Sequence, residues 1–124
     1  MKTRSKKFRL WDKENKKMIY PNLKNNEFIV DMQGRVYKYK DGKYKNVSKD
    51  FVIMDFTGLH DKDLNEIYEG DILKDEKTGM VGVVEYRHRS YVALCNYETY
   101  IPYDMFLGGL GNIKKVGNIY ENEE

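Results

Sequence analysis

The chain has 124 residues, 34% of them charged, with 11 tyrosines, five phenylalanines, one tryptophan, two prolines and one cysteine. That length suits one domain or two very small ones. Cys95 alone excludes an internal disulfide, and apolar runs of a few residues exclude a helical membrane span, which needs about 20.

The N-terminus, MKTRSKKFRLW, is basic but no apolar signal core follows it, which leads to the expectation of a cytosolic protein. Phe8 to Trp11 alternates in polarity, Asp12 to Lys17 is a polar turn, and Met18 to Tyr20 resumes the apolar character, so a β-hairpin is expected. Asn26 to Asp31 reads as a strand, and Gln33-Gly34 turns the chain into another at Arg35 to Lys40. Period two puts Tyr37 and Tyr39 on one face there, with Val36, Lys38 and Lys40 on the other. Asp41-Gly42 is a hairpin signal, after which Tyr44 to Val47 pairs back.

Phe51 to Phe56 reads as a buried strand and Gly58 to Asn65 as a turn-rich connection. Strands are expected from Ile72, over Met80 to Tyr86, over Tyr91 to Cys95 and over Val116 to Tyr120. Gly82 suggests a bulge or a close backbone approach. Helical turns could form near Asp63 to Tyr68 or Pro102 to Leu107, but no apolar repeat at helical spacing lasts three turns. The expected class is mainly β, most simply a small barrel or roll. The expected division is a basic β region over 1–50 and a second domain over 51–124. The net charge of +2 hides this division: residues 1–50 carry 15 Lys/Arg and 6 Asp/Glu, whereas 51–124 carry 7 and 14. Such a split suits the first half to a polyanion, or to the acidic half of a second copy.

Three stretches carry a resemblance: KFRLWDKENKKMIY (Lys7 to Tyr20), TGLHDKDLNEIYEGDIL (Thr57 to Leu73) and VGNIYENEE (Val116 to Glu124). In their order and spacing the chain resembles the YopX family of phage and prophage proteins. The resemblance implies an SH3-like β-barrel in the C-terminal part, preceded by the N-terminal hairpin region. It also implies a phage or prophage origin within a bacterial host cell, and it supplies no activity and no catalytic residues. The positions matching its motifs are Trp11, Asp12, Thr57, Gly58, Leu59, Asp61, Ile67, Tyr68, Gly70, Asp71, Gly117, Asn118 and Tyr120. Two departures stand out. Asp63, Leu64 and Asn65 replace the family's usual Asn, Gly and Lys, removing the glycine that eases a positive φ. Glu123 also follows Asn122 where the family usually has proline.

Gly70 is expected to permit the corner entering the strand at Ile72. The Asp71 carboxylate accepts nearby backbone N–H groups, and Tyr68 packs beneath. Asp61, Asp63 and Asn65 occupy the first three ligand positions of an EF-hand-like loop, but Glu66 replaces the required glycine and Ile72 the twelfth-position glutamate. His60, His88 and Cys95 lack the close spacing of a structural zinc site. No metal and no cofactor are therefore expected. Cys95 reads as a small core residue, and Ser90 lacks a nucleophile elbow. Gly108, Gly109 and Gly111 are not followed by the Lys-Ser/Thr of a phosphate loop.

The basic, aromatic first half is the main binding signal. Lys6, Lys7, Arg9, Lys38, Lys40, Lys43 and Lys45 could meet phosphates while Trp11, Tyr37, Tyr39 or Tyr44 stacks on bases. Arg87 and Arg89, flanking His88, could join them. The leading expectation is a non-enzymatic accessory module acting through protein contacts, with itself or with a host or phage protein. Nucleic-acid binding is the alternative, and no membrane partner is expected. A hydrolase built on Asp71, Glu69 and Glu85 is the third reading; it requires burial to separate their pKa values.

Overall fold

The structure, a computed structural model, describes residues 7–21, 27–87, 90–95, 99–102 and 112–121. The chain divides into two compact units, Met1–Met54 and Asp55–Glu124. The fold is mainly β, as the residue pattern implied.

In the first unit, β1 (Phe8–Asp12) pairs antiparallel with β2 (Lys17–Ile19), with Leu10 opposite Ile19 and Trp11 opposite Met18. A second sheet has the order β3 (Phe28–Val30), β4 (Val36–Lys40), β5 (Lys43–Asn46). A 3-10 turn at Ser48–Asp50 leads into β6 (Phe51–His60). Leu10, Phe28 and Val36 form the buried centre, and Phe8, Ile19, Val30, Val47, Phe51 and Ile53 pack around it. The Phe28 and Phe51 rings meet edge to face with centroids 5.1 Å apart, the arrangement that ring quadrupoles favour.

In the second unit, β7 (Glu66–Tyr68) pairs with the later part of β6, Phe56 opposite Tyr68 and His60 opposite Glu66, with an irregularity between. The main sheet contains β8 (Asp71–Asp75), β9 (Val81–Arg87), β10 (Ser90–Cys95), β11 (Thr99–Pro102) and β12 (Ile113–Asn118). Its order is β11-β10-β9-β8-β12. A run of antiparallel neighbours is thus completed by a last strand that returns to the first, which is compatible with the SH3-like arrangement. Ile67, Tyr68, Leu73, Val84 and Ile113 are buried here.

Several local expectations change. The stretch from Asp63 to Tyr68 contains β7 and no helical turn, because Ile67 and Tyr68 are ordered by pairing with β6. The strand from Phe51 runs on to His60, and of its side chains only Met54 is buried. Gly82 sits in regular register between Leu73 and Cys95; the bulge of this sheet lies between Lys115 and Gly117. The expected helical turn near Pro102 to Leu107 falls mostly outside the described residues, as do the glycines at 108, 109 and 111.

The turns share one chemistry. Asp31 Oδ1 accepts hydrogen bonds from the backbone N–H groups of Gln33 and Arg35, both at 2.9 Å. Asp61 Oδ1 accepts from those of Asp63 and Asn65, also at 2.9 Å. In both turns the aspartate N–H donates to the carbonyl four residues on, and its carbonyl accepts from the residue three on. An aspartate at the start of a turn thus supplies acceptors that the ladder no longer offers. Asp12 serves Glu14 and Asn15, and Asp75 serves Lys77, in the same manner.

Candidate functional site

A cluster of charged side chains in the second unit lies where the Asp61 turn, the β7–β8 corner and β12 converge. Asp61 is 5% exposed. Besides the two bonds at Oδ1, its Oδ2 accepts from the Lys115 backbone N–H at 2.9 Å and from Asn65 Nδ2 at 3.2 Å. Burial pushes its pKa up, but the hydrogen bonds from Lys115, Asn65 and Asp63 outweigh burial and hold it below the usual carboxylate range. Both oxygens of Asp61, the first position of the EF-hand-like reading, are therefore occupied by N–H donors.

The corner behind it is built on Gly70 and Asp71. Gly70 has φ of 86°, a left-handed conformation open to glycine. Its N–H donates to the Val84 carbonyl at 2.9 Å, and its carbonyl accepts from Ile119 N–H at 2.9 Å. The Asp71 side chain is fully buried, and its Oδ2 accepts from the Tyr68 N–H at 2.6 Å. This is the role expected of it from the turn chemistry. Tyr68, 4% exposed, packs there, and its hydroxyl donates to Glu66 at 3.2 Å.

Lys115 completes the cluster. Its ammonium lies 3.2 Å from Asp71 Oδ2, donates to the Glu66 carbonyl at 3.1 Å, and stands 5.8 Å from the centre of the Tyr68 ring. Sequence reasoning missed it. Lys115 is 54 residues from Asp61 in the chain, and only the pairing of β12 with β8 brings it there. No local pattern signals that approach. Only Asp71 is fully buried, the Lys115 side chain being 21% exposed, so breaking the pair costs less than the about 3–5 kcal/mol of a fully buried one.

The other motif positions also carry structure. Thr57 Oγ1 donates to the Ile67 carbonyl at 2.7 Å and accepts from Leu59 N–H at 3.2 Å, with Gly58 at φ 87° between them. Leu59 itself is 40% exposed and Ile67 fully buried. Asn118 Oδ1 accepts from the N–H groups of Tyr120 and Glu121, closing the turn after Gly117. Trp11 is buried beside the Asp12 turn.

The carboxylates of the third reading have different engagements. Asp71 is tied to Tyr68 and Lys115, whereas Glu69 Oε1 accepts from the Asp55 N–H at 3.1 Å. Burial, then the nearby Asp55 carboxylate and a hydrogen bond shared with it, raise the Glu69 pKa despite that backbone bond. Glu85 lies on β9, opposite Val92 of β10. Among the described residues no group of three His, Cys, Asp or Glu side chains is placed to hold a metal ion.

Of the basic positions, Lys6 and Arg89 lie outside the described residues, and Arg87 ends β9. Lys7 is exposed. Arg9 requires a correction: it is fully buried, because both faces of β1 are covered, Arg9 and Trp11 on one and Leu10 on the other. It offers no surface to a phosphate. Lys38 is half-buried, its ammonium 5.7 Å from the Phe28 ring centre, whereas Lys40, Lys43 and Lys45 are exposed.

These features define a small mainly-β protein whose buried charges hold its turns together. The chain belongs to the YopX family, whose match, described as YopX protein, covers residues 7–124. Two solved structures share the fold. Protein EF1440 from Enterococcus faecalis is 24% identical and superposes with a TM-score of 0.61, over 97% of this chain and 96% of that one. Protein yopX from Bacillus subtilis is 16% identical, with a TM-score of 0.59 over 94% and 92% of the two chains. No curated protein matches. No helix among the described residues is long and apolar enough to cross a membrane.

Proposed function

We propose that this YopX-family chain is a phage- or prophage-encoded accessory protein of the bacterial cytoplasm that acts by protein contact, chiefly with copies of itself, and not by catalysis. The observation that carries the reading is how the charged groups are used. Asp61, Asp71 and Lys115, the charged groups that converge around the β7–β8 corner, are engaged by backbone donors and acceptors or by each other. Meanwhile Met80, Val81, Val116 and Ile119 are each 41–45% exposed on the second unit. Apolar side chains left in water around a rigid frame suit an association surface.

The test is sedimentation velocity on the full chain over a wide concentration range, with Val81→Glu and Val116→Glu beside it. A defined homo-oligomer that these charges dissociate is expected. A strict monomer at every concentration would refute self-assembly.

A further inference from the structure

The β4–β5 hairpin carries charges that no described element of the fold neutralises. Cross-strand register sets Lys38 opposite Lys45 and Lys40 opposite Lys43, so all four share one face. Like charges directly opposite destabilise a ribbon. None of the four has a carboxylate within ion-pair distance among the described residues. On the other face Tyr39 stands opposite Tyr44, the rings edge to face with centroids 5.0 Å apart, and these side chains are 49% and 53% exposed. Tyr37 and Asn46 form the next pair along. β5 is the edge of its sheet, and all four of its residues are exposed.

We propose that this edge binds single-stranded nucleic acid. A strand lying along β5 would place phosphates at Lys43 and Lys45, whose long stems reach past the ribbon, and lay a base on Tyr44, with Tyr39 bracing that ring. The cationic face and the aromatic face meet along this border. Phosphates relieve the Lys–Lys repulsion, while an unpaired base supplies the flat surface that an exposed tyrosine favours. A duplex keeps its base faces stacked inside and satisfies only the lysines. An added protein strand is disfavoured, because lysines on an edge oppose strand pairing.

The test is fluorescence anisotropy of a labelled oligothymidylate of about ten nucleotides with the full chain at about 50 mM salt. Binding is expected to weaken as salt rises. In Lys43→Ala/Lys45→Ala the slope of log affinity against log salt should flatten by about 0.7 for each phosphate no longer neutralised. Tyr44→Ala should weaken binding at least about fivefold and leave the slope unchanged. Lys74→Ala, an exposed position on the second unit, serves as the control and should bind normally. The exposure of all these side chains preserves the fold, which circular dichroism checks. The proposal is overturned by no binding at that salt, by unchanged binding in the double-lysine variant, or by Tyr44→Ala binding normally with a duplex competing equally. That last outcome would mark a plain polyanion patch.

Discussion

Leu64 sits at φ 67°, in the left-handed region where a branched side chain crowds its own backbone. The same turn occurs at Asp31, with the same carboxylate and backbone bonds, and there the equivalent position is Gly34 at φ 81°. The chain therefore contains its own comparison. Leu64→Gly relieves a conformational cost of about 1–2 kcal/mol and adds about 0.5–1 kcal/mol of unfolded-state entropy. Leu64 is 80% exposed, so little burial is lost. The net expectation is a gain of about 0.5–1 kcal/mol, which raises the urea midpoint by roughly 0.3–0.5 M at an ordinary slope. In the reverse direction, a Cβ at Gly34 would meet nothing within 4 Å, so Gly34→Ala tests the φ angle without a clash. It should lose about 1 kcal/mol. Urea unfolding followed by Trp11 fluorescence and far-ultraviolet circular dichroism measures both. A Leu64→Gly midpoint at or below that of the natural chain would refute the reasoning.

Asp61→Ala removes the acceptor for Asp63, Asn65 and Lys115 at a nearly buried position and should cost about 3 kcal/mol or more, measured by thermal unfolding. Burial opposes ionisation of Asp61 and Asp12, but hydrogen bonding outweighs it and lowers both folded pKa values. Their stabilisation is thus present above the ordinary aspartate value and lost as pH falls through the lower folded values. An acid midpoint below about pH 4, shifted in Asp61→Asn, is the expected result. Glu69 has the opposite sign: its folded pKa is raised, so its favourable contribution holds at acid pH and fades as pH climbs from about 4 through the raised value. Glu69→Gln keeps the acceptor for Asp55 N–H and should be more stable than the natural chain at neutral pH, with the difference vanishing in acid. Equal stability across that range would exclude a raised Glu69 pKa, whether from burial or from the Asp55 carboxylate.

Period-two alternation and turn residues made the strands of the first half legible. Phe8–Trp11, Tyr37–Tyr39 and Asp41-Gly42 each signal their structure within a few residues, and β1, β4 and the β4–β5 hairpin lie where the pattern put them. The Gly70–Asp71 corner was equally readable, since a left-handed glycine followed by a carboxylate acceptor is local chemistry. The missing glycine at Leu64 pointed to a reshaped turn, yet the turn is kept and Leu64 itself takes the positive φ. The extent of β6 and the identity of β7 were not readable. Thr57 to His60 is polar and glycine-containing, and it becomes a strand because its partners lie elsewhere in the chain.

The amino-acid order by itself thus determined the β class, the places where the chain reverses and the aspartates that hold those reversals, because each depends on neighbours a few bonds away. It also determined that the hairpin lysines and tyrosines take opposite faces. Only the tertiary structure decided that Arg9 is buried, that Lys115 meets Asp71 and Asp61, and that Tyr39 and Tyr44 stand in solvent. Burial and long-range pairing depend on which strands become neighbours, and that choice minimises exposed apolar surface and unsatisfied polar groups over a whole unit at once.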